Sequence, residues 1–213
     1  MLTNPDTQRR SSISQRFFRA LYRESPPGYL GLSVFEAGST THWLPAHMLS
    51  EAADLAVELS ETQDVYLNVG LRAEDLGRER RGVAEEVVAL PGLWADIDVK
   101  GPAHKEQSLP PTKREALKIL RGIPLSPSLI VDSGHGLQVW WLFKELWAFD
   151  SEGEREKAQE LSSRFQATLR TKAEAHGWRL DGTHDLARVL RIPGTYNRKL
   201  EPKEVEIAWP RRP

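Results

Sequence analysis

The sequence predicts an α+β fold: an N-terminal α/β half over residues 12–92, followed by a half over 93–213 whose elements run β-α-β-β-α-β. Three observations carry this. Strand-like runs alternate with segments of helical period along the whole chain. From residue 93 the order matches the split βαβ, ferredoxin-like arrangement, an antiparallel sheet with two helices on one face. Within that half, a Gly-rich turn joins two apolar runs as a hairpin.

The 213 residues are enough to bury a sizeable core, with 39% hydrophobic and 28% charged residues. No apolar run approaches the ~18 residues a membrane span requires, and no signal-peptide core opens the chain, so a cytoplasmic protein is expected. There is no Cys. Disulfides and thiolate zinc sites are thereby excluded. A net charge of −1 gives no global basic signature, so nucleic acid must be met by local clusters of Arg and Lys.

Residues 1–11 are polar and read as a frayed tail. Ile13, Phe17 and Leu21 recur at a spacing of four and predict a short amphipathic helix over 12–22, stopped by Pro26-Pro27-Gly28. A strand follows at 29–35 and a helix at 45–59, with Leu49, Ala52, Leu55, Ala56 and Leu59 on one side. Another strand lies at 65–71. Residues 72–91 hold Arg72, Arg78, Arg80 and Arg81 among acids and read as a mobile loop. From there the expected elements are a strand (93–99), a Pro-containing loop, a helix (112–121), strands at 128–131 and 137–143, a helix (151–176), and strands near 187–191 and 204–209. In the long helix, Ala158, Leu161, Phe165 and Leu169 keep helical spacing, Ser151 with Glu154 spells a capping box, and Gly177 is the stop.

Chemistry concentrates in three segments. In Gly92-Leu-Trp-Ala-Asp-Ile-Asp-Val99, residues two apart in a strand face the same way, so Asp96 and Asp98 share one face and Ala95, Ile97 and Val99 the other. Two adjacent carboxylates are unfavourable unless a cation sits between them. Their spacing along a strand, roughly 6–7 Å, suits divalent ions ~4 Å apart in a two-metal site. The turn Asp132-Ser-Gly-His-Gly136 offers backbone N–H groups and an imidazole to phosphate oxygens. The strand after it alternates, so Gln138 faces away from Leu137, Val139 and Trp141. The third segment, Leu180-Asp-Gly-Thr-His-Asp-Leu-Ala-Arg-Val-Leu-Arg-Ile-Pro-Gly-Thr-Tyr-Asn-Arg-Lys199, places acids ahead of two arginines and a Pro-Gly turn.

In order and spacing these three segments resemble the primase-polymerase domains of the archaeo-eukaryotic primase (AEP) superfamily, found in phage and plasmid replication proteins; the resemblance spans roughly residues 29–209. It implies a catalytic core with an RRM-like sheet. It further implies that Asp96 and Asp98 are the first motif's metal-binding pair and Asp181 the third motif's acid, with Asp185 competing for that slot. Mg²⁺ or Mn²⁺ would be the cofactor. The family's second motif, small-x-His, supplies a histidine to the incoming nucleotide's phosphates. Ser133-Gly134-His135 fits that spelling, while Gln138 fills the slot in which relatives read a histidine after Gly-Leu. Both stand as candidates.

Arg188 and Arg191 are three apart, so they share a face if the segment is helical and oppose each other if it is a strand. One is expected to reach a phosphate bidentately and the other to pair with an acid such as Asp185. Asn197 is a candidate nucleotide contact, and Arg72, Arg80, Arg81 and Lys199 form the candidate DNA track. The expected activity is template-directed synthesis or extension of primers on single-stranded DNA, from NTPs or dNTPs, beside a helicase domain or partner. The alternatives are a gap-filling, end-joining or CRISPR-associated polymerase of the same superfamily, or an RRM-like nucleic-acid-binding module without catalysis. A rolling-circle endonuclease would need a His-x-His pair, and none of the 6 histidines lies two from another.

Overall fold

The computed structural model describes residues 4–23, 26–35, 38–104 and 106–209. Helix α1 (Pro5–Tyr22) opens the described chain. Asn4 caps it by accepting from the Asp6 N–H at 2.9 Å, and Pro5 and Asp6 occupy the first turn, where proline and an acid are favoured. The helix therefore takes in most of the stretch expected to fray. What holds its polar first half is ionic rather than apolar: Arg10 is buried and pairs with Asp6 at 3.0 Å and with Glu61.

Next come β1 (Tyr29–Val34) and β2 (Thr40–Pro45), an antiparallel hairpin. Helix α2 (Leu49–Ser60), β3 (Val65–Asn68) and β4 (Leu71–Arg72) follow. The strand β2 was not anticipated; it displaces the start of α2 from 45 to Leu49 because Pro45 ends a strand there. The segment read as a loop up to residue 91 is regular sooner, with a 3-10 turn at Ala84–Glu86 and β5 running over Val87–Asp98.

Helix α3 (Lys113–Ala116) continues into a 3-10 turn, Leu117–Leu120. The hairpin β6 (Leu129–Asp132) and β7 (Gly136–Ala148) precedes α4 (Glu152–Glu174). Ser151 sits at the N-cap of α4 without a side-chain bond, and Glu154 accepts from the N–H of Asp150, one residue before the cap, at 3.2 Å, so the expected capping box is not made. Short strands β8 (Val189–Arg191), β9 (Tyr196–Asn197), β10 (Lys203–Glu204) and β11 (Glu206–Trp209) complete the chain. Among the described residues no helix is long and apolar enough to cross a membrane.

The fold is α+β, and its main sheet is antiparallel throughout, ordered β11-β6-β7-β5-β4-β1-β3-β8, with β2 also on β1. This sheet passes without a break through residue 92, so both halves share it. Two features depart from a ferredoxin-like order. The outer edge of β5 is taken by β4, which sends the last strand to the far edge beside β6. In addition, β8 pairs with β3 of the N-terminal half.

Alternation along β5 and β7 divides the packing. Leu93, Ala95, Ile97, Leu137, Val139 and Trp141 face α3 and α4, packing on Ala116, Ile119, Leu169 and Ala173. Trp94 and Trp140 face the other way, and Phe17 of α1 meets the Trp140 ring edge-on at 5.8 Å. Truncating either buried tryptophan would cost about 3–5 kcal/mol. Further along this second face the tryptophans give way to polar side chains, and a cleft opens.

Candidate active site

The cleft is built on β5 and β7. Asp96 stands directly opposite Gln138, and Asp98 opposite Gly136. Strand parity thus puts Asp96, Asp98 and Gln138 on the face opposite the α4 core. The hairpin turn is narrow by necessity. Gly134 has φ +91°, and a Cβ at Gly136 would stand 2.6 Å from the Ile97 carbonyl oxygen. Lys113 grips the turn, its ammonium donating to both Asp132 oxygens at 2.5 and 2.7 Å and to the Gly134 carbonyl at 3.3 Å.

The sheet curls so that its β8 edge returns over β5 and β7. The Arg191 N–H donates to Gln138 Oε1 at 3.0 Å, and Arg188 Nη2 donates to Asp96 Oδ2 at 3.0 Å. These bonds close a cleft of about 570 Å³, lined among others by Asp96, Asp98, Ser133, His135, Arg188 and Lys199. Gln138, Arg191, Asn197 and Arg81 line it as well. A smaller recess of about 160 Å³ shares Asp96, Asp98 and His104 and adds Asp181.

Within the cleft the groups differ in what they leave free. The carboxyl of Asp98 is pushed up by burial and by Asp96 beside it, and His104 Nε2 lies 3.3 Å from its Oδ1. His135 is held below the ordinary imidazole value by burial and then by the cations Lys203, Lys199 and Lys113 and by His104. The nitrogens His135 Nε2 and Arg188 Nε are buried and have no partner among the described residues.

Other expected contacts are already engaged. Asn197 donates to the Ser133 carbonyl at 2.6 Å and accepts from the Lys199 N–H at 3.1 Å, which fastens the Pro-Gly segment to the hairpin turn. Arg191 is buried, pairs with Asp64 and stacks over Tyr66 at 4.2 Å. The arginines therefore pair with Asp96 and Asp64, and neither side chain pairs with Asp185.

Two expectations, those for Asp185 and Arg72, are corrected by placement. Asp185 lines neither recess; its carboxylate accepts from the Ala187 N–H at 2.9 Å and caps the turn before β8, leaving Asp181 as the acid beside the aspartate pair. Arg72 is no DNA contact, because it is fully buried, donates to the Gly70 carbonyl at 2.7 Å, and is pushed down to about 10 by that burial. Arg80 is exposed beside the cleft lining rather than in it, and pairs with Glu86. Asp181 itself is exposed and pairs with Arg179 at 3.3 Å. Among the described residues no three His, Asp or Glu side chains form a ready-made metal cluster.

Sequence reading missed Phe35, Asp64, Tyr66 and His104, all of which line the cleft. Asp64 and Tyr66 reach it only because β8 pairs with β3, and His104 sits in an irregular loop. None belongs to a local pattern that marks chemistry.

No protein-family model matches the sequence, and no curated protein matches it. Solved structures do match by shape. The AEP domain of the cyanophage S-2L primase-polymerase superposes with a TM-score of 0.58 at 12% identity, over 91% of this chain and 87% of that one. The primase RepB′ matches with a TM-score of 0.52 at 13% identity, over 91% of this chain and 55% of that one. Its catalytic domain in complex with initiator DNA matches at 0.52 and 13%, over 92% and 84%. By these superpositions the chain has the fold of the AEP primase-polymerase catalytic domain.

Proposed function

We propose that the chain is a template-directed nucleotidyltransferase, a primase-polymerase that synthesises or extends primers on single-stranded DNA in the replication of a phage, plasmid or other mobile element. The observation that carries this reading is convergence: Asp96 and Asp98, His135, and Arg188 and Lys199 come from three distant segments and line one cleft.

The donor set suits Mg²⁺ or Mn²⁺, hard ions that take carboxylate oxygens; burial first and Asp96 second raise Asp98, and a bound cation would offset the part due to Asp96. Asp96 and Asp98 would hold the ions, with Asp181 as third acid after leaving Arg179. When bound, such ions neutralise the triphosphate and activate a primer 3′ hydroxyl. The remaining work falls to the chain. Arg188 is planar and permanently charged, so it suits bidentate contact with a phosphate once it parts from Asp96. His135 Nε2 serves as a donor to another phosphate oxygen. Lys199 adds a mobile charge at the same opening. Gln138 and Asn197 keep the third segment seated on the hairpin.

The test is incubation with single-stranded DNA, labelled nucleotides and Mn²⁺, with and without a primer. Products without primer are expected. Products only with primer would point to a gap-filling, end-joining or CRISPR-associated polymerase type, and strand binding with no incorporation to an RRM-like binding module.

A further inference from the structure

Beyond the acids and cations, the cleft has an aromatic wall. Tyr66 is held under the Arg191 guanidinium at 4.2 Å, and the two are cross-strand partners of β3 and β8. Phe35 meets Tyr66 edge-to-face, with ring centroids 5.3 Å apart and an interplanar angle of 65°. The Arg81 guanidinium lies 6.0 Å over the Phe35 ring. Phe35 is 41% exposed although it lines a cleft of otherwise polar character. The ring packs on Tyr66 and otherwise faces the cleft.

From these contacts we infer that Phe35, supported by Tyr66 and faced by Arg81, is a nucleobase-stacking platform. The inference deepens the reading of the cleft as a nucleotidyl-transfer site and rests on it. An aromatic face and a guanidinium plane are the two surfaces on which any base stacks regardless of sequence. Two van der Waals gaps of ~3.5 Å make about 7 Å, so a shift of about 1 Å in Arg81 admits a flat ring between it and Phe35. The contact with Tyr66 fixes the tilt of the Phe35 ring, while Arg81 stands over the ring at a distance that a base can take up. Contacts run from Asp96 to Arg188 at one side, and from Arg191 through Tyr66 to Phe35 at the other. A nucleotide has the same division, anionic at one end and flat and aromatic at the other.

The base belongs either to the template strand or to the incoming nucleotide, and two binding arms separate these. In one, a fluorescein-labelled dT12 and a 12-unit abasic strand are titrated with the full chain. In the other, dTTP and inorganic tripolyphosphate are titrated in the presence of Mn²⁺. Wild type is expected to prefer the base-bearing ligand in one arm. Phe35→Ala should weaken that ligand alone by at least about fivefold, the lower bound for loss of one stacked base. Phe35→Leu, which keeps apolar bulk without a π face, should behave like alanine, and Phe35→Trp should restore binding. The arm that responds names the source of the base. Equal binding of base-bearing and base-free ligands in both arms, or an equal loss for both in Phe35→Ala, overturns the platform and leaves the catalytic reading standing. Absence of binding to any strand or nucleotide overturns both.

Discussion

Arg188 and Asp96 stand 92 positions apart in the chain and are joined by an ion pair of 3.0 Å that ties the segment entering β8 to the centre of the sheet. The pair gives Asp96 two duties, one toward any bound ion and one toward the structure. It also separates Asp96 from Asp98, which sequence parity treats alike.

Asp96→Ala should reduce incorporation below about a tenth of wild type, a barrier increase of at least ~1.4 kcal/mol. It should also lower Tm by roughly 2–4 °C, since about 1 kcal/mol is lost when half-buried Arg188 is left without its partner. Removal of a repelling neighbour alone would have raised Tm. Asp96→Asn, which keeps an acceptor for Arg188, should recover part of the stability and none of the activity. Melting curves run beside a primer-extension gel decide it; a stable and active Asp96→Ala removes the carboxylate from the mechanism.

For Asp98 the sign is opposite. Its folded carboxyl sits above the ordinary range, through burial first and Asp96 second, so the folded state binds a proton more readily than the unfolded chain. That contribution is complete below the unfolded value of ~3.9 and is lost as pH rises through the folded one. At pH 7 the ionised group is therefore a liability, softened by solvent because its side chain is 38% exposed. Asp98→Asn should raise Tm at pH 7 by about 1–3 °C, and the advantage should vanish on acidification toward pH 4. Incorporation should be lost at every pH.

Strand parity was enough to put Asp96 with Asp98 on one face of β5 and Gln138 opposite to Leu137 and Val139 on β7, because a pleat is a local property, while the β5–β7 register is what sets Gln138 beside Asp96. The long helix was equally legible from its period. Asp64 and Tyr66 were not, since their relevance depends on β8 pairing with β3, a choice made by the whole sheet. Arg72 was misjudged because a charge in a Gly- and acid-rich stretch reads as solvated, whereas here Trp43 and the Gly70 carbonyl enclose it. Strand β2, Thr-Thr-His-Trp-Leu-Pro, has weak alternation and ends in proline, so only its partner β1 defines it.

His135 and Gln138 divide along the same line between local and long-range roles. Gln138 is buried with its oxygen on the Arg191 N–H, so Gln138→Ala should cost ~1–3 kcal/mol of stability through an unsatisfied buried donor. Turnover should then fall because β8 carries Arg188 loosely. His135→Ala should leave Tm nearly unchanged and raise the nucleotide KM. The folded imidazole is held below its usual value, by burial and by nearby cations, so its charge arrives only as pH drops. Charged donors contribute about twice what neutral ones do. The KM ratio of variant to wild type should therefore be larger at low pH than at pH 8, where only a neutral donor is left to lose. A ratio independent of pH would mean that His135 acts only as a neutral donor or not at all.

Salt dependence tests the cationic lining directly. With Arg72 buried and Arg80 turned to Glu86 outside the cleft, the cations left to meet a strand there are Arg81, Arg188 and Lys199, besides the inward-tied Arg191. Three phosphate contacts at ~0.7 each give a log-log slope of binding to single-stranded DNA near −2, shallower than the −3 that a longer surface track would produce. Lys199→Ala should make the slope shallower by about 0.7 and weaken all sequences alike. Arg80→Ala should leave it unchanged. So should Arg72→Met, because a buried arginine with unsatisfied nitrogens releases no counterion from DNA, and an apolar side chain of similar length can fill its place. Fluorescence anisotropy from 50 to 200 mM NaCl measures all four slopes. A slope that falls in Arg72→Met with the melting curve unchanged would bring that side chain back to the surface and refute the buried placement.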